Sequence, residues 1–486
     1  MVAVHEALPV TIFLTVFVVV VAEFDPLRHL GTTTPYRPTI AGSRPTLPHT
    51  CRLHQVNMVL RHGTRYPTQN TVQLATQLYD RLQDVLDRHQ GIVPDWLVGW
   101  RPRFDGIVAG ELTTTGMLEH YELAQRLSAR YPDVFAQPYQ ADRCRLRSTQ
   151  KSRAGRSASA FAIGLWHGTG NVTEHRFEPT FIYTTGPLID DPILRPFDKC
   201  PRYDRSLREP ETIMQYSRYW DRISAQIAAN IERRIGLRLE HDWIQSVWKV
   251  CKAELSALGA SNLTRLFDED DILALELGDD ISAYWKKGPG REINWQMTCP
   301  LLHDLRTSIF EASTDLRYGY HRHLDLRFAH AETIIPLVAS LGLFQDNFTI
   351  TSDSDPQLLN SRSWRMSRIT PYAANVAFHL YRCGRQFLVS ILHNEIPVPL
   401  PFCSGQYYCP LKNFENYLLQ FTSCCNLTEI CSLGDVPNVC MAQIDDDAFR
   451  KSVAFIATLI GLSLGTLTGF FVYKCSVRGL YQNKEV

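Results

Sequence analysis

Neither sign of charge dominates this 486-residue chain: Lys and Arg together number 50 and Asp and Glu together number 50, so the formal net charge is zero. That balance excludes a nucleic-acid binder working through a global field, and any anionic ligand must be gripped by a local cluster. No repeat or low-complexity tract stands out, so nothing indicates an array or a disordered module. No carboxylates or histidines are grouped at metal-ligand spacing, so the reading includes no metal and no other cofactor, and most of the 16 histidines are assigned surface or structural roles. The crowded cysteines Cys403, Cys409, Cys424, Cys425, Cys431 and Cys440 lack the interleaved histidines that a zinc site would offer, which makes a cross-linked membrane-proximal segment the better reading.

The chain is bracketed by two apolar stretches. Ala7 to Ala22 is apolar and is followed by Glu23 and Asp25, which predicts a secretory signal peptide over residues 1–22; its first residues lack Lys and Arg, so an uncleaved anchor is the alternative. Residues 452–473 carry no charged side chain and can cross the roughly 30 Å hydrocarbon core as a helix. Lys474, Arg478 and Lys484 follow that segment in a short tail, 474–486, giving a type I single-span topology with the bulk of the chain lumenal or extracellular. Gly461, Gly465 and Gly469 lie four apart on one face of the span, where a second helix could pack to form a homodimer; glycines merely tolerated in a membrane helix are the alternative. Twelve of the 13 cysteines and the sequons at Asn171, Asn262, Asn347 and Asn426 fall on the lumenal side, as disulfides and glycans require. The chain does not end in a lumenal retention tetrapeptide, which favours the plasma membrane.

Between these ends, Val56 to Leu60 and Leu324 to Phe328 read as strands, and Thr71 to His89, Met117 to Tyr131 and Met214 to Glu240 carry helical apolar spacing. This interleaving predicts an α/β fold with a central, mostly parallel sheet flanked by helices, over 51–197 and 305–442. Residues 198–304, with Trp220, Trp243, Trp248 and Trp285, show no strand alternation and read as an inserted helical cap. Two lobes make a cleft at the carboxyl ends of the strands.

Three segments carry the chemistry. Arg61 to Pro67 reads Arg-His-Gly-Thr-Arg-Tyr-Pro at the end of the first strand; guanidinium forks match phosphate oxygens, and a neutral imidazole can attack phosphorus. His330-Ala331-Glu332-Thr333 follows the second strand and precedes a helix-like run, with Pro336 placed in that helix's first turn, so that His330 and Glu332 sit beside its positive end. Asp142 to Arg156 holds Arg143, Arg145, Arg147, Lys151, Arg153 and Arg156; alone it reads equally well as a solvated basic face.

Together these strings resemble the histidine acid phosphatases, branch two of the histidine phosphatase superfamily, and within it the inositol polyphosphate subgroup. The resemblance rests on Arg61 to Pro67, on the His-Ala-Glu-Thr form of residues 330–333, and on Tyr284 to Gly290, Leu194 to Cys200, Pro371 to Asn375, Asn394 and Glu395. It implies that His62 is a nucleophile forming a phosphohistidine, that Arg61, Arg65, Arg153 and His330 hold the phosphate, and that Glu332 is the general acid. Arg147 competes with Arg153, which is preferred because its spacing to Ser157 and Phe161 is that of the family. Lys286, Lys287 and Arg156 are candidates for further phosphate contacts, with ordinary surface residues the alternative. The implied activity is hydrolysis of inositol polyphosphates, including the hexakisphosphate; a broad acid phosphatase of the same fold and a noncatalytic polyphosphate-binding surface protein are the competing readings.

Overall fold

A computed structural model describes residues 24–38, 45–87, 93–186, 190–314 and 321–434. The expected signal peptide 1–22, the span 452–473 with Gly461, Gly465 and Gly469, and the tail 474–486 lie outside the described residues. No described helix is long and apolar enough to cross a membrane.

The described strands are β1 (Cys51–Arg61), β2 (Cys144–Ser148), β3 (Ile182–Thr184), β4 (Leu324–Ala329), β5 (Asn375–Cys383), β6 (Gln386–His393), β7 (Ile396–Pro397) and β8 (Cys409–Pro410). They form one sheet in the order β3-β2-β4-β1-β5-β6-β7, with β8 also on β6. The expected mostly parallel sheet is corrected to a mixed one. Pairs β3/β2, β2/β4 and β4/β1 are parallel, while β1/β5, β5/β6, β6/β7 and β6/β8 are antiparallel. The reason is local: only Gly384 and Arg385 separate β5 from β6, Gly384 has φ +64°, and a two-residue connection can join only antiparallel neighbours.

Side chains along β1 and β4 alternate between two environments. Val56, Met58, Leu60, Leu324, Leu326 and Phe328 share one core with Leu123 and Leu127 of the helix Thr114–Arg130 and Phe161 and Leu165 of the helix Ser152–Leu165. The other face is mixed, with Val59 and Ala329 in a second core and Gln55, Asn57, Asp325 and Arg327 polar although buried. Arg327 is wholly buried and pairs with Asp304 and Asp325, and Arg145 reaches the same two carboxylates. Gln55 donates to Ser308 on the helix Cys299–Thr314, which carries Asp304. Buried charges persist only when paired in this way, and the network fixes that helix against the sheet.

From 190 to 314 the chain forms helices and turns, including Pro201–Ser206, Pro210–Ile235, His241–Leu258 and Glu269–Lys287. Trp220, Trp243, Trp248 and Trp285 are all buried in one cluster there. Asp268 and Asp271 form a capping box that fixes the start of Glu269–Lys287, so its last turn presents Lys286 and Lys287.

Pro336 is also corrected. The helix runs Ala331–Ser340 with His330 as N-cap, because the His330 carbonyl already accepts from the Thr333 and Ile334 amides; Pro336 therefore lies inside the helix rather than in its first turn. Glu332 is consequently the second helical residue, closer to the positive end than expected.

Four disulfides join Cys51 to Cys383, Cys200 to Cys431, Cys299 to Cys425 and Cys403 to Cys409, and Cys424 is also disulfide-bonded. Of the crowded cysteines, Cys425 and Cys431 staple their segment to the helical region instead of cross-linking it internally. Cys144 and Cys251 are buried free thiols. The bridges indicate a secreted or lumenal protein.

Candidate active site

Register alone brings the first two segments together. Arg61 of β1 lies opposite Ala329 of β4, and Phe328 of β4 lies opposite Ser148 of β2, so His62, His330 and Thr149 each stand one step past the carboxyl ends of three parallel strands. The antiparallel neighbour β5 begins at the same end, with Asn375 opposite Leu60. Sites in open α/β sheets lie at this edge.

His62 is buried, and its ring centroid is 5.4 Å from that of His330 and 5.8 Å from that of Tyr372. Its Nδ1 is 2.9 Å from the Gly63 carbonyl oxygen. A carbonyl can only accept, so the proton sits on Nδ1 and the lone pair on Nε2. Burial, then Arg61, His330 and Arg153, hold the His62 pKa well below the usual imidazole range, so the ring is neutral and nucleophilic in mild acid.

The Arg61 guanidinium is buried over the Tyr372 ring at 4.5 Å and donates through one nitrogen to the Thr32 and Thr370 carbonyls. Its Nε has no hydrogen-bond partner among the described residues. Burial lowers its pKa to about 10, with Arg65 and Arg153 pushing the same way and Tyr372 and Glu332 opposing. Arg153 stands in the first turn of Ser152–Leu165, its Nε also buried with no partner among the described residues. Its pKa is lowered by burial and by Arg65 and Arg195. Arg65 thus acts on both Arg61 and Arg153, which puts the three guanidinium groups in one electrostatic neighbourhood. Arg147 points elsewhere, to Asp191 at 2.9 Å.

His330 Nε2 is 3.0 Å from the Thr149 hydroxyl, and its Nδ1 is buried with no partner among the described residues. Burial, Arg153 and Arg195 hold this imidazole neutral as well. Glu332 accepts from Lys287 Nζ at 2.7 Å. Burial alone would raise its pKa, but Lys287, through its charge and its hydrogen bond, and the residue's own backbone amide outweigh that and hold the carboxyl far below the ordinary range. The side chain keeps 36% of its surface exposed, so solvent screens the pair. Lys286, by contrast, lies 3.9 Å above the Tyr216 ring, and Arg156 pairs with Glu111.

Several supporting residues escaped the sequence reading. Arg195 acts electrostatically on both Arg153 and His330; it is held by a two-pronged pair to Asp198, and the adjacent Leu194 carbonyl accepts from Thr333. Leu194 to Cys200 had signalled the position without giving a role. Glu119 accepts from the Thr64 amide, the Thr64 hydroxyl and the Tyr36 amide, pinning the loop from below. His120 Nε2 donates to the Arg61 carbonyl. Gly63 and Gly116 pack backbone to backbone: a Cβ on Gly63 would lie 2.2 Å from the Gly116 carbonyl oxygen, and one on Gly116 2.1 Å from that of Thr64. Only glycine permits that approach. Among the described residues, no group of three or more His, Cys, Asp or Glu side chains could hold a metal ion.

Residues 52–394 match the histidine phosphatase superfamily, branch 2. The chain is 28% identical to multiple inositol polyphosphate phosphatase 1 of Dictyostelium discoideum, over 88% of this chain and 77% of that one. It is 29% identical to the protein of the same name from Homo sapiens, over 79% and 82%. Among solved structures it resembles the D. castellii phytase (TM-score 0.70, 19% identity, 87% and 90% covered). It also resembles the Bifidobacterium longum multiple inositol polyphosphate phosphatase in complex with inositol hexasulfate (TM-score 0.63, 17% identity, 80% and 97% covered).

Proposed function

Since this chain belongs to branch 2 of the histidine phosphatase superfamily and is a phosphatase, we propose that its substrates are inositol polyphosphates, the hexakisphosphate among them. The observation that carries the reading is that Arg61 and Arg153 act on a neutral His62 while Arg65 acts on both arginines, the Nε atoms of Arg61 and Arg153 being buried with no hydrogen-bond partner among the described residues. Such a site suits a multiply charged anion, and the relatives' names supply its class.

In this mechanism His62 Nε2 attacks phosphorus while Arg61, Arg65, Arg153 and His330 hold the equatorial oxygens. Glu332, protonated, delivers its proton to the departing inositol oxygen as the ester bond breaks, and water then releases phosphate from His62. The helical segment 198–304 serves as a cap over a catalytic domain formed by 51–197 and 305–442, a division supported by the absence of described strands between β3 and β4. A signal peptide at 1–22, a span at 452–473 with a tail at 474–486, a type I orientation at the plasma membrane and pairing through Gly461, Gly465 and Gly469 complete the proposal. The four sequon asparagines are all exposed, as glycan attachment requires.

The test is a product profile on the purified lumenal portion, with inositol hexakisphosphate and glycerol phosphate side by side. Preferential turnover of the hexakisphosphate supports the assignment. Preference for the simple monoester would leave a broad acid phosphatase of the same fold, and binding without turnover a noncatalytic protein.

A further inference from the structure

The last turn of Glu269–Lys287 places two lysines in unlike settings. Lys286 covers an aromatic ring, whereas Lys287 reaches across to the carboxylate proposed above as the proton donor. That contact opposes the chemistry: an acid must carry its proton, and an ammonium at 2.7 Å stabilises the ionised form. The other charged or titratable groups around Glu332 are His330 at the same helix start, Arg61 at the end of β1, Arg153 in Ser152–Leu165 and Tyr203 in Pro201–Ser206. Among the described residues none of these makes a direct ion pair with it. Removing Lys287 therefore removes the only cation that, among the described residues, lies within ion-pair distance of Glu332. Both partners are partly exposed, 28% for the lysine and 36% for the glutamate, so a ligand can reach the ammonium and the lysine can swing.

We propose that Lys287 is a specificity-determining residue that holds Glu332 in an ion pair until a second phosphate beside the scissile one draws the ammonium away. This rests on the assignment of Glu332 as the acid. A phosphate dianion competes for the ammonium better than a carboxylate does, because it carries more charge and three strong acceptor oxygens. Once released, Glu332 faces that phosphate's charge and takes up a proton from the acidic solvent, H3O+ giving water. The proton passes to the inositol oxygen as the His62 Nε2–P bond forms and the P–O bond breaks, its electron pair remaining on oxygen; Glu332 returns to carboxylate and the neutral alcohol leaves. A monophosphate offers Lys287 no second anion, so Glu332 stays paired and poorly protonated.

The test uses the full chain as wild type, Lys287→Met and Lys287→Arg, with kcat and KM followed from pH 4 to 7 on inositol hexakisphosphate and on inositol monophosphate, whose leaving group is alike. Lys287→Met should move the alkaline limb of the monophosphate kcat/KM profile up by about one pH unit, equivalent to about tenfold higher kcat/KM on that limb. It should raise KM for the hexakisphosphate, so the preference between substrates collapses, and Lys287→Arg should restore both limb and preference. An unmoved limb with both substrates slowed in parallel would overturn the proposal and leave Lys287 a structural residue. Failure of the wild type to turn over the hexakisphosphate would instead remove the substrate assignment, while the monophosphate limb in Lys287→Met still reports on the ion pair.

Discussion

The imidazole Nδ1 of His62 lies 2.9 Å from the carbonyl oxygen of its own neighbour, Gly63, so the residue that follows the histidine selects which ring nitrogen is free to react. The orientation is built into the chain locally, and what it needs from the rest of the fold is a fixed path for residues 62–65. That path is held from three sides. The Gly63 amide donates to the Ser157 hydroxyl, the Thr64 carbonyl accepts from the Thr113 amide and hydroxyl, and the Ala373 amide donates to the His62 carbonyl.

Gly116→Ala should displace this loop, because the new Cβ would fall 2.1 Å from the Thr64 carbonyl oxygen. The expected cost is about 1–3 kcal/mol of stability, seen by thermal or denaturant unfolding. Activity should fall further than stability, by roughly a hundredfold in kcat, since small misplacements of reacting groups are costly. Gly155→Ala is the control. It lies in the Ser152–Leu165 helix, where the added Cβ would meet only the Ser148 hydroxyl at 3.9 Å, so it should stabilise by about 0.5–1 kcal/mol.

Glu119→Gln should also loosen the loop. The carboxylate faces three donors, and a glutamine would turn its NH2 group toward one of them. A loss of about 1–3 kcal/mol in unfolding free energy is expected, with kcat reduced while KM changes little.

His120 gives a pH-dependent signature. Burial pushes its pKa down to about 3 against an ordinary value of 6.5. The unfolded chain binds a proton there below about pH 6.5 while the folded chain does not, so the stability this group contributes is present above 6.5 and drains away as pH falls toward 3. The slope is about 1.4 kcal/mol per pH unit. His120→Gln can still donate to the Arg61 carbonyl but cannot titrate; it should be less stable than wild type at pH 7 and lose stability more slowly between pH 6 and 4. Equal slopes in urea titrations would count against a buried neutral ring.

What the sequence made legible was local. Arg61 to Pro67 announces itself because strand end, histidine and arginines are consecutive, and Leu324, Leu326 and Phe328 alternate because one face of β4 packs on an apolar core. What it hid depends on distant segments meeting. Glu119, His120 and Gly116 sit on an ordinary amphipathic helix, and nothing in their spacing shows that its first turns touch residues 61–64. Thr32 and Tyr36 support the site from a stretch with no periodic pattern. Asp325 and Arg327 broke the hydrophobic pattern expected of a buried strand because each has its partner on the Cys299–Thr314 helix or on β2. The Lys287–Glu332 pair joins positions 45 residues apart, and it puts the proposed acid in the ionised state, opposite to what residue type alone suggested.

The most direct test of the account is to mix the enzyme with labelled inositol hexakisphosphate, quench within milliseconds under alkaline conditions that preserve phosphohistidine, and map the label. The account predicts label on the peptide containing His62, attached at Nε2, and none in His62→Ala. Label on another residue, or turnover that persists in His62→Ala, would contradict it.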